Sequence, residues 1–335
     1  MAKIVNPTNK TPIAIAFSDL HLEIWKQHNE GNRRLENAKD VLRKIKLLCK
    51  KHRVISLFPG DLFHKEKSLS NELLFETLPF FKKLWEKGDF VTVAISGNHD
   101  QTKQNLIGNE SPSYIKTLSK TFDGFKCIDF SSYKLNDEVM VYGVPYITHD
   151  LGLIDYINSI DLKLSNKNIL MLHTTMPNAK DTDGREVHSN LHQTEFYKAL
   201  ERFDLVLCGH IHSPFYFNVG LTNIVQVGAP QQQRLTDKNC KMGYWLIYDD
   251  LEVEFVHFSK YPRFIEISDY SEKINDGNFY VIKPKKKERK GSTEVRRKFD
   301  NSNSKSKLAR NYLKQKGIKD KAKKEALIQI LKSIE

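Results

Sequence analysis

Ser96-Gly97-Asn98-His99-Asp100 directly follows the apolar run Val91-Thr92-Val93-Ala94-Ile95. A short run of β-branched and apolar residues predicts a buried strand, and the glycine predicts the turn that ends it. The strand would therefore carry an amide, an imidazole and a carboxylate to its carboxyl end. Open α/β sheets hold their ligands at that end of their strands.

The same pattern, an apolar run that ends in Asp, Asn or His, recurs four more times. The recurrences are 13–17 before Asp19 and His21, 54–58 before Asp61, 168–172 before His173, and 204–208 before His210 and His212. Such runs are typical of buried strands whose ends emerge from the core, so we expect all five to end at one edge of one sheet. Their polar residues would then converge on a single site.

The spacing of apolar residues between these runs predicts an α/β fold. Apolar residues recur at helical spacing in 31–52 and in 69–85, each between two strand-like runs, which predicts two βαβ units with parallel connections. After residue 125 short strand-like runs predominate, with a helical stretch at 153–162. This order of elements favours two mixed β-sheets packed face to face with helices outside them.

The positive charge of the chain is concentrated near its end. The 335 residues carry a formal net charge of +12, whereas residues 281–324 alone hold 18 Lys/Arg and 4 Asp/Glu, which leaves −2 for the rest. A solvated segment and a contact with phosphate backbones are both typical of such a run. The Lys/Ser/Asn-rich composition of residues 285–306 predicts a linker. Apolar residues at helical spacing in 320–334 predict a helix whose apolar stripe docks on its own domain or on a partner chain.

Composition also bears on localisation. No run approaches the ~18 apolar residues of a membrane-spanning helix, and the first seven residues lack the apolar segment of a signal peptide. The four cysteines have no paired spacing, which favours reduced thiols. We therefore expect an intracellular protein without a membrane partner.

The predicted polar edge offers two carboxylates, one amide and up to five imidazoles. They are Asp19, His21, Asp61, Asn98, His99, His173, His210 and His212. This set without a thiolate suits Mn, Fe or Zn and accepts Mg less readily. Because about seven ligands are too many for one tetrahedral ion, we expect two ions that share a carboxylate. A pair of ions ~3.5–4 Å apart is the arrangement that enzymes use for phosphoryl displacement.

In the order DxH, GD, GNHD, H and GHxH, these motifs resemble the calcineurin-like metallophosphoesterases. The resemblance implies a four-layer αββα fold and a ligand role for seven of the residues. Asp19, His21 and His212 would hold one ion, Asn98, His173 and His210 the other, and Asp61 would bridge both. It also implies that His99 is the general acid that protonates the leaving oxygen rather than a ligand.

Further motifs are similar to those of the SbcD-type nucleases of double-strand-break repair and their phage recombination counterparts. His64 follows Asp61 by three residues in GDLFH, whereas the Ser/Thr phosphatases resemble GDxVDRG. Residues 142–146 resemble the GxPY turn of those nucleases, and 227–230 with 243–245 resemble their strand pair after GHxH. The likeness covers roughly residues 13–270 and implies that His64 assists at the scissile phosphate. Glu23 departs from it, because those nucleases usually have glycine after DxHL.

This closer resemblance implies a DNA nuclease with exonuclease and endonuclease modes and two Mn²⁺ ions, or Mg²⁺ in their place. It implies a homodimer within a heterotetramer, in which an SbcC-type SMC-like ATPase binds the helix at 320–334. The protein would work in the cytoplasm of a bacterium or of a phage-infected host.

The resemblance also divides the chain into a nuclease domain at 1–264, a reduced cap-like region with a basic linker at 265–304, and a helical docking segment at 305–335. Two alternatives stay open. One is a phosphatase or cyclic-nucleotide phosphodiesterase on the same scaffold. The other is a metal-free DNA-binding scaffold subunit.

Overall fold

The computed structural model describes residues 10–27, 32–65, 68–101, 112–148, 150–163, 166–181 and 184–282. The predicted linker at 285–306 and the predicted helix at 320–334 lie outside these residues. None of the helices in the described ranges combines the length and the apolarity that crossing a membrane requires.

Strands and helices alternate through the first part of the chain, and strands follow one another in the last part. In chain order the strands are β1 (Pro12–Ala16), β2 (Ile55–Phe58), β3 (Thr92–Ala94), β4 (Phe125–Cys127), β5 (Ser131–Lys134), β6 (Val139–Val144), β7 (Lys167–His173), β8 (Leu205–Gly209), β9 (Phe215–Val219), β10 (Thr222–Gln226), β11 (Gly243–Tyr248), β12 (Val253–His257), β13 (Phe264–Ile267) and β14 (Phe279–Ile282). The helices are α1 (Arg33–His52), α2 (Asn71–Trp85), α3 (Tyr114–Thr121), α4 (Asp150–Ser159) and α5 (Gln193–Leu200).

Within the described residues the strands form two six-stranded mixed sheets and one small sheet. The first has the order β12-β11-β1-β2-β3-β4, the second β5-β6-β7-β8-β10-β9, and β13 pairs in parallel with β14. β1, β2, β3 and β4 are parallel neighbours, with α1 and α2 connecting the first three. The two predicted βαβ units are therefore confirmed. β6, β7, β8 and β10 are likewise parallel, and β5 and β9 run antiparallel at the two edges.

Side chains along β1 alternate between two apolar cores. Ala14 and Ala16 pack in the core between the sheets, together with Met171 of β7. Ile15 and Phe17 face the other way and pack with the apolar faces of α1 and α2. A third core joins the outer face of the second sheet to α4 and α5. The four layers, helix, sheet, sheet and helix, confirm the predicted fold class.

Two short helices were not expected from the sequence. α3 has eight residues, of which only Ile115 and Leu118 are buried, so its apolar repeat is too short to be distinctive. Its start is fixed by Ser113, whose hydroxyl accepts a hydrogen bond from the Lys116 N–H at 3.1 Å. α5 also has eight residues and buries Phe196, Ala199 and Leu200 against the second sheet.

The expectation that all five polar-ended strands lie in one sheet is wrong. The strands before Asp19, Asp61 and Asn98 belong to the first sheet, whereas β7 and β8, which lead to His173 and His210, belong to the second. Buried parallel strands of both sheets end in polar loops, so the apolar pattern cannot tell which strands pair. The polar residues after the five strands still converge, because the two sheets pack face to face with these strand ends on the same side.

Candidate metal centre

All of the polar residues singled out at the predicted edge lie at strand ends. Asp19 and His21 follow β1, Asp61 and His64 follow β2, Asn98 and His99 follow β3, His173 ends β7, and His210 and His212 follow β8. The contacts below bring these residues of both sheets into one cluster.

Asp19, His21 and His212 form a first group of donors, whose possible ligand atoms lie within 4.8 Å of one another. The Nε2 atom of His21 is 3.1 Å from Nε2 of His212 and 3.9 Å from Oδ1 of Asp19. Two ligand atoms that are each about 2.1 Å from one cation lie about 3 Å apart at right angles. The group could therefore hold one cation.

Asp61, His173 and His210 form a second group of the same compactness. Asn98 adds an oxygen to it, because its Oδ1 lies 2.9 Å from Nδ1 of His210 and 3.1 Å from Nε2 of His173. This group offers a carboxylate, an amide oxygen and two imidazoles, so it too could hold a cation.

Asp61 lies between the two groups. Its Oδ2 atom is 3.6 Å from Nε2 of His21 in the first group and 3.4 Å from Nε2 of His173 in the second. A carboxylate in this position is within reach of two neighbouring cations. Asp61 is also almost fully buried, which keeps competing water away from the carboxylate.

The backbone is left-handed at four of these residues. The φ angles are 54° at Asp19, 49° at His21, 59° at Asp61 and 92° at His210. Residues other than glycine seldom adopt this conformation, and those that do cluster at functional sites. Hydrogen bonds hold it here, since the His210 N–H donates to both carboxylate oxygens of Asp19, at 3.0 and 3.1 Å.

Asp100, the last residue of the opening stretch, organises the loops after β2 and β3. Its buried carboxylate accepts hydrogen bonds from the backbone N–H groups of Asp61, Leu62, Phe63 and Gly97 at 2.7 to 3.2 Å. Burial and the charge of Asp61 raise the pKa of Asp100 to about 8, while the N–H donors favour its charged form. The sequence marked Asp100 as part of a motif without assigning it this role.

Two imidazoles are oriented through their Nδ1 atoms. Nδ1 of His173 donates to the carbonyl of Pro59 at 2.6 Å, and Nδ1 of His212 faces Oδ2 of Asp237 at 3.4 Å. Such partners leave Nε2 free for a cation. Sequence reasoning missed Asp237, which lies 25 residues after His212 in a 3₁₀ turn. Its sequence neighbours carry no pattern that marks it.

The imidazoles differ in their electrostatic environment. Burial lowers the pKa of His21 well below its usual value, and burial together with His173 lowers that of His210 to about 3. Burial acts in the same direction on His173, but the charges of Asp61 and Asp19 outweigh it and raise the pKa of His173 to about 9. His21 and His210 are therefore neutral near pH 7, whereas His173 holds a proton in the cation-free site.

His99 and His64 form the rim of the centre. The His99 N–H donates to Oδ1 of Asp61 at 2.9 Å, and Nδ1 of His99 donates to the carbonyl of His64 at 2.5 Å. The two rings are stacked, with centroids 5.4 Å apart and an interplanar angle of 12°. Burial and the neighbouring His99 lower the pKa of His64 to about 4, so its ring is neutral at pH 7.

The sequence matches a protein family and, separately, a viral protein. Residues 14–214 match the calcineurin-like phosphoesterase family, a range that holds every residue of the centre named by motif. Uncharacterized protein R555 of Acanthamoeba polyphaga mimivirus is 27% identical over 234 residues, which are 67% of this chain and 16% of that protein. This chain therefore spans only about a sixth of the length of the curated relative that it matches.

Solved structures of phosphoesterases resemble the fold at low identity. A dimetal phosphatase from Danio rerio is 9% identical with a TM-score of 0.43, over 74% of this chain and 100% of that one. An archaeal phosphodiesterase is 12% identical with a TM-score of 0.36, over 73% and 99% of the two chains. Overlaps this loose add nothing to the assignment, which depends on the family match over more than half of the chain. With the five motifs from DxH to GHxH inside that match and their side chains brought together at the strand ends, the chain belongs to the calcineurin-like phosphoesterases, a family of metal-dependent hydrolases.

Proposed function

We propose that this chain is a nuclease that hydrolyses DNA phosphodiesters with two Mn²⁺ ions. The observation that carries the proposal is the place of Asp61, whose Oδ2 lies within 3.6 Å of a donor atom in each of two compact groups. Two-ion centres of this kind are suited to displacement at phosphorus. The presence of several imidazoles beside the carboxylates supports Mn²⁺ over Mg²⁺.

The proposed ligands follow the two groups. Asp19, His21 and His212 hold one ion, Asn98, His173 and His210 hold the other, and Asp61 bridges them. Bound cations would supply Lewis acidity at the phosphoryl oxygens and a water nucleophile of lowered pKa. The protein fixes the donors beforehand through Asp100 and the left-handed turns, so little reorganisation is needed when ions bind.

His99 acts as the general acid in this proposal. Its Nδ1 donates to the carbonyl of His64, so in the imidazolium form Nε2 carries the second proton and delivers it to the leaving oxygen, which leaves a neutral ring protonated at Nδ1. The hydrogen bond from the His99 N–H to Asp61 keeps the ring beside the bridging carboxylate. His64, three residues after Asp61, contacts the scissile phosphate.

Three features support DNA and protein partners. Residues 281–324 carry 18 Lys/Arg against 4 Asp/Glu, a charge opposite to that of a nucleic acid backbone. The apolar stripe in the sequence of 320–334 suits docking on an SbcC-type ATPase. On α2, Phe75 is 79% and Leu78 is 44% exposed, and these two apolar side chains, three residues apart on one helix, suit a contact with a second copy of the chain.

The test compares three substrates with one preparation of the full chain. End-labelled linear duplex DNA, a chromogenic phosphodiester and a chromogenic phosphomonoester are each incubated with Mn²⁺, without it, and with Mn²⁺ followed by EDTA. The proposal expects DNA cleavage that requires Mn²⁺ and stops with EDTA. Hydrolysis of the monoester alone would make the protein a phosphatase, and DNA binding without any cleavage would make it a scaffold subunit.

A further inference from the structure

A row of planar side chains extends from the centre through His64. The ring of Trp25 lies 4.5 Å from that of His64, centroid to centroid, at an interplanar angle of 42°. The guanidinium carbon of Arg34 lies 3.9 Å from the centroid of Trp25. Because His64 also stacks on His99, its ring has ring contacts with both His99 and Trp25.

Arg34 has little freedom to move. It is only 7% exposed, and its Nη2 donates to the carbonyl of Gln233 at 2.5 Å. Its guanidinium carbon also lies 5.5 Å from the ring centroid of Phe264 and 5.8 Å from that of Phe279. A guanidinium buried in this way cannot reach a substrate phosphate, but its plane can hold an aromatic ring in place.

Gln233 connects Arg34 to Asp237 and, through it, to His212 of the first donor group. Its N–H donates to Oδ2 of Asp237 at 2.8 Å, and its side-chain amide donates to the carbonyl of Leu20 at 3.0 Å. Asp237 in turn faces Nδ1 of His212. The short segment 233–237 therefore anchors both Arg34 and one of the proposed ligands.

We propose that Trp25 and Arg34 are positioning residues that act through His64. Arg34, held by Gln233, holds Trp25, and Trp25 holds the imidazole of His64 against His99 in the orientation that meets the scissile phosphate. Trp25 belongs to none of the three apolar cores of the described residues, so filling a core does not account for its place. This inference rests on the proposed nuclease function, because it assigns a task to His64.

A double-mutant cycle tests the inference on duplex DNA and on the chromogenic phosphodiester. Trp25→Leu should lower kcat by about 10- to 100-fold, as expected when a reacting group is misplaced by a fraction of an ångström to 1 Å, with KM and Mn²⁺ affinity nearly unchanged. Trp25→Phe keeps an aromatic face and should restore most of the activity. Arg34→Lys keeps the charge but loses the plane, and should fall between the two.

The cycle is completed in the His64→Gln background. There neither Trp25→Leu nor Arg34→Lys should lower kcat by more than about two-fold, because the group that they position is absent. The proposal is overturned if Trp25→Leu or Arg34→Lys lowers kcat by the same factor in the His64→Gln background as in the wild type. Trp25 and Arg34 would then act on the fold or on the substrate directly.

A second readout needs no substrate. In the full chain, with Mg²⁺ in place of paramagnetic Mn²⁺, the ring protons of His64 should show a ring-current shift from Trp25, assigned by their loss in His64→Gln. Trp25→Leu should remove the shift and Trp25→Phe should keep part of it. Because loss of the Trp25 ring changes the shift of any nearby proton, the orientation of His64 is read from the nuclear Overhauser effect between the ring protons of His64 and His99. An effect that Trp25→Leu leaves unchanged would overturn the positioning role even if DNA proves to be the substrate. An effect that Trp25→Leu weakens and Trp25→Phe retains would support the role even if DNA is not the substrate.

A matched control is available on the outer helices. There the guanidinium carbon of Arg43 lies 5.1 Å from the ring centroid of Phe80. This is also a contact between an arginine and an aromatic ring, but neither residue belongs to a motif of the centre. Phe80→Leu should leave kcat and the His64 resonances unchanged. If it lowers kcat as much as Trp25→Leu does, the effect of Trp25 is a general loss of packing and the proposal fails.

Discussion

The two sheets contribute unlike donors to the centre. The loops after β1, β2 and β3 supply all the oxygens, from Asp19, Asp61 and Asn98, together with the imidazole of His21. The ends of β7 and β8 supply only imidazoles, from His173, His210 and His212. Each donor group therefore joins oxygens of one sheet to nitrogens of the other, and a cation would be held only where the two sheets are packed together.

Each half of the centre, meaning the part that one sheet contributes, also has a buried carboxylate that holds the loops through hydrogen bonds and is not a proposed cation ligand. Asp100 gathers four backbone N–H groups around the first-sheet loops, whereas Asp237 accepts from the Gln233 N–H and faces His212 of the second-sheet half. A substitution in the loops of one sheet should therefore weaken cation binding differently from a substitution in those of the other sheet. A substitution at Asp61, which lies between the two donor groups, should weaken the binding of both cations.

Asp61→Asn should have the largest effect, a loss of both Mn²⁺ ions and of cleavage to the limit of detection. Asparagine keeps the volume and an oxygen for the His99 N–H, so the fold should persist, but it removes the negative charge shared by the two groups. Metal content per chain, cleavage rate and melting temperature measure these three outcomes.

The control for this variant is Asp123→Asn, an exposed carboxylate in the loop before β4. It should retain both ions and full activity. Two bound Mn²⁺ ions per chain in Asp61→Asn would contradict the bridging role and, with it, the meeting of the two halves at that carboxylate.

His99→Gln comes next and should lower kcat by ~10²–10⁴-fold while both ions stay bound. His99 touches Asp61 through its backbone N–H, which glutamine keeps, so the bridging carboxylate should not move. His188→Gln, at an exposed imidazole, is the matched control and should leave the rate unchanged. If His99→Gln loses metal instead, His99 is a ligand, as its close spacing with His21 and His64 would allow.

How much of the centre is foreseeable from sequence depends on how local each signal is. An apolar run followed within five residues by Asp, Asn or His is local, so the strand ends and their polar residues could be predicted. The sheet to which β7 and β8 belong is set by pairing with β6 and β10, a choice that no local pattern records. Asp237 reaches His212, and Arg34 reaches Gln233, across tertiary contacts of the same non-local kind.

Asp237→Asn should weaken binding of the first ion by about 10- to 100-fold, the usual cost of losing a group that orients a ligand. Asparagine is a weaker acceptor for Nδ1 of His212 and for the Gln233 N–H. The second ion should bind as before, because no donor of its group contacts Asp237 among the described hydrogen bonds. Titration with Mn²⁺, followed by electron paramagnetic resonance of the free ion, would separate two affinities. Equal weakening of both would show that the halves respond as one unit.

The smallest effect concerns a single proton between the two sheets. In the cation-free site the first-sheet carboxylate Asp61, helped by Asp19, raises the pKa of second-sheet His173 to about 9, so that imidazole is protonated at pH 7. A cation needs its Nε2 deprotonated, and loading at pH 7 should therefore release the proton of His173. Any proton on His212 would be released as well, because Asp237 outweighs burial and raises the pKa of that imidazole, so the count is made in Asp237→Asn too. His210, with a pKa of about 3, is already neutral and should release none. Calorimetric titration with Mn²⁺ in buffers of different ionisation enthalpy measures the number. Release should fade as the pH rises through 9, and its absence at pH 7 would mean that the carboxylates of one sheet do not hold a proton on the other.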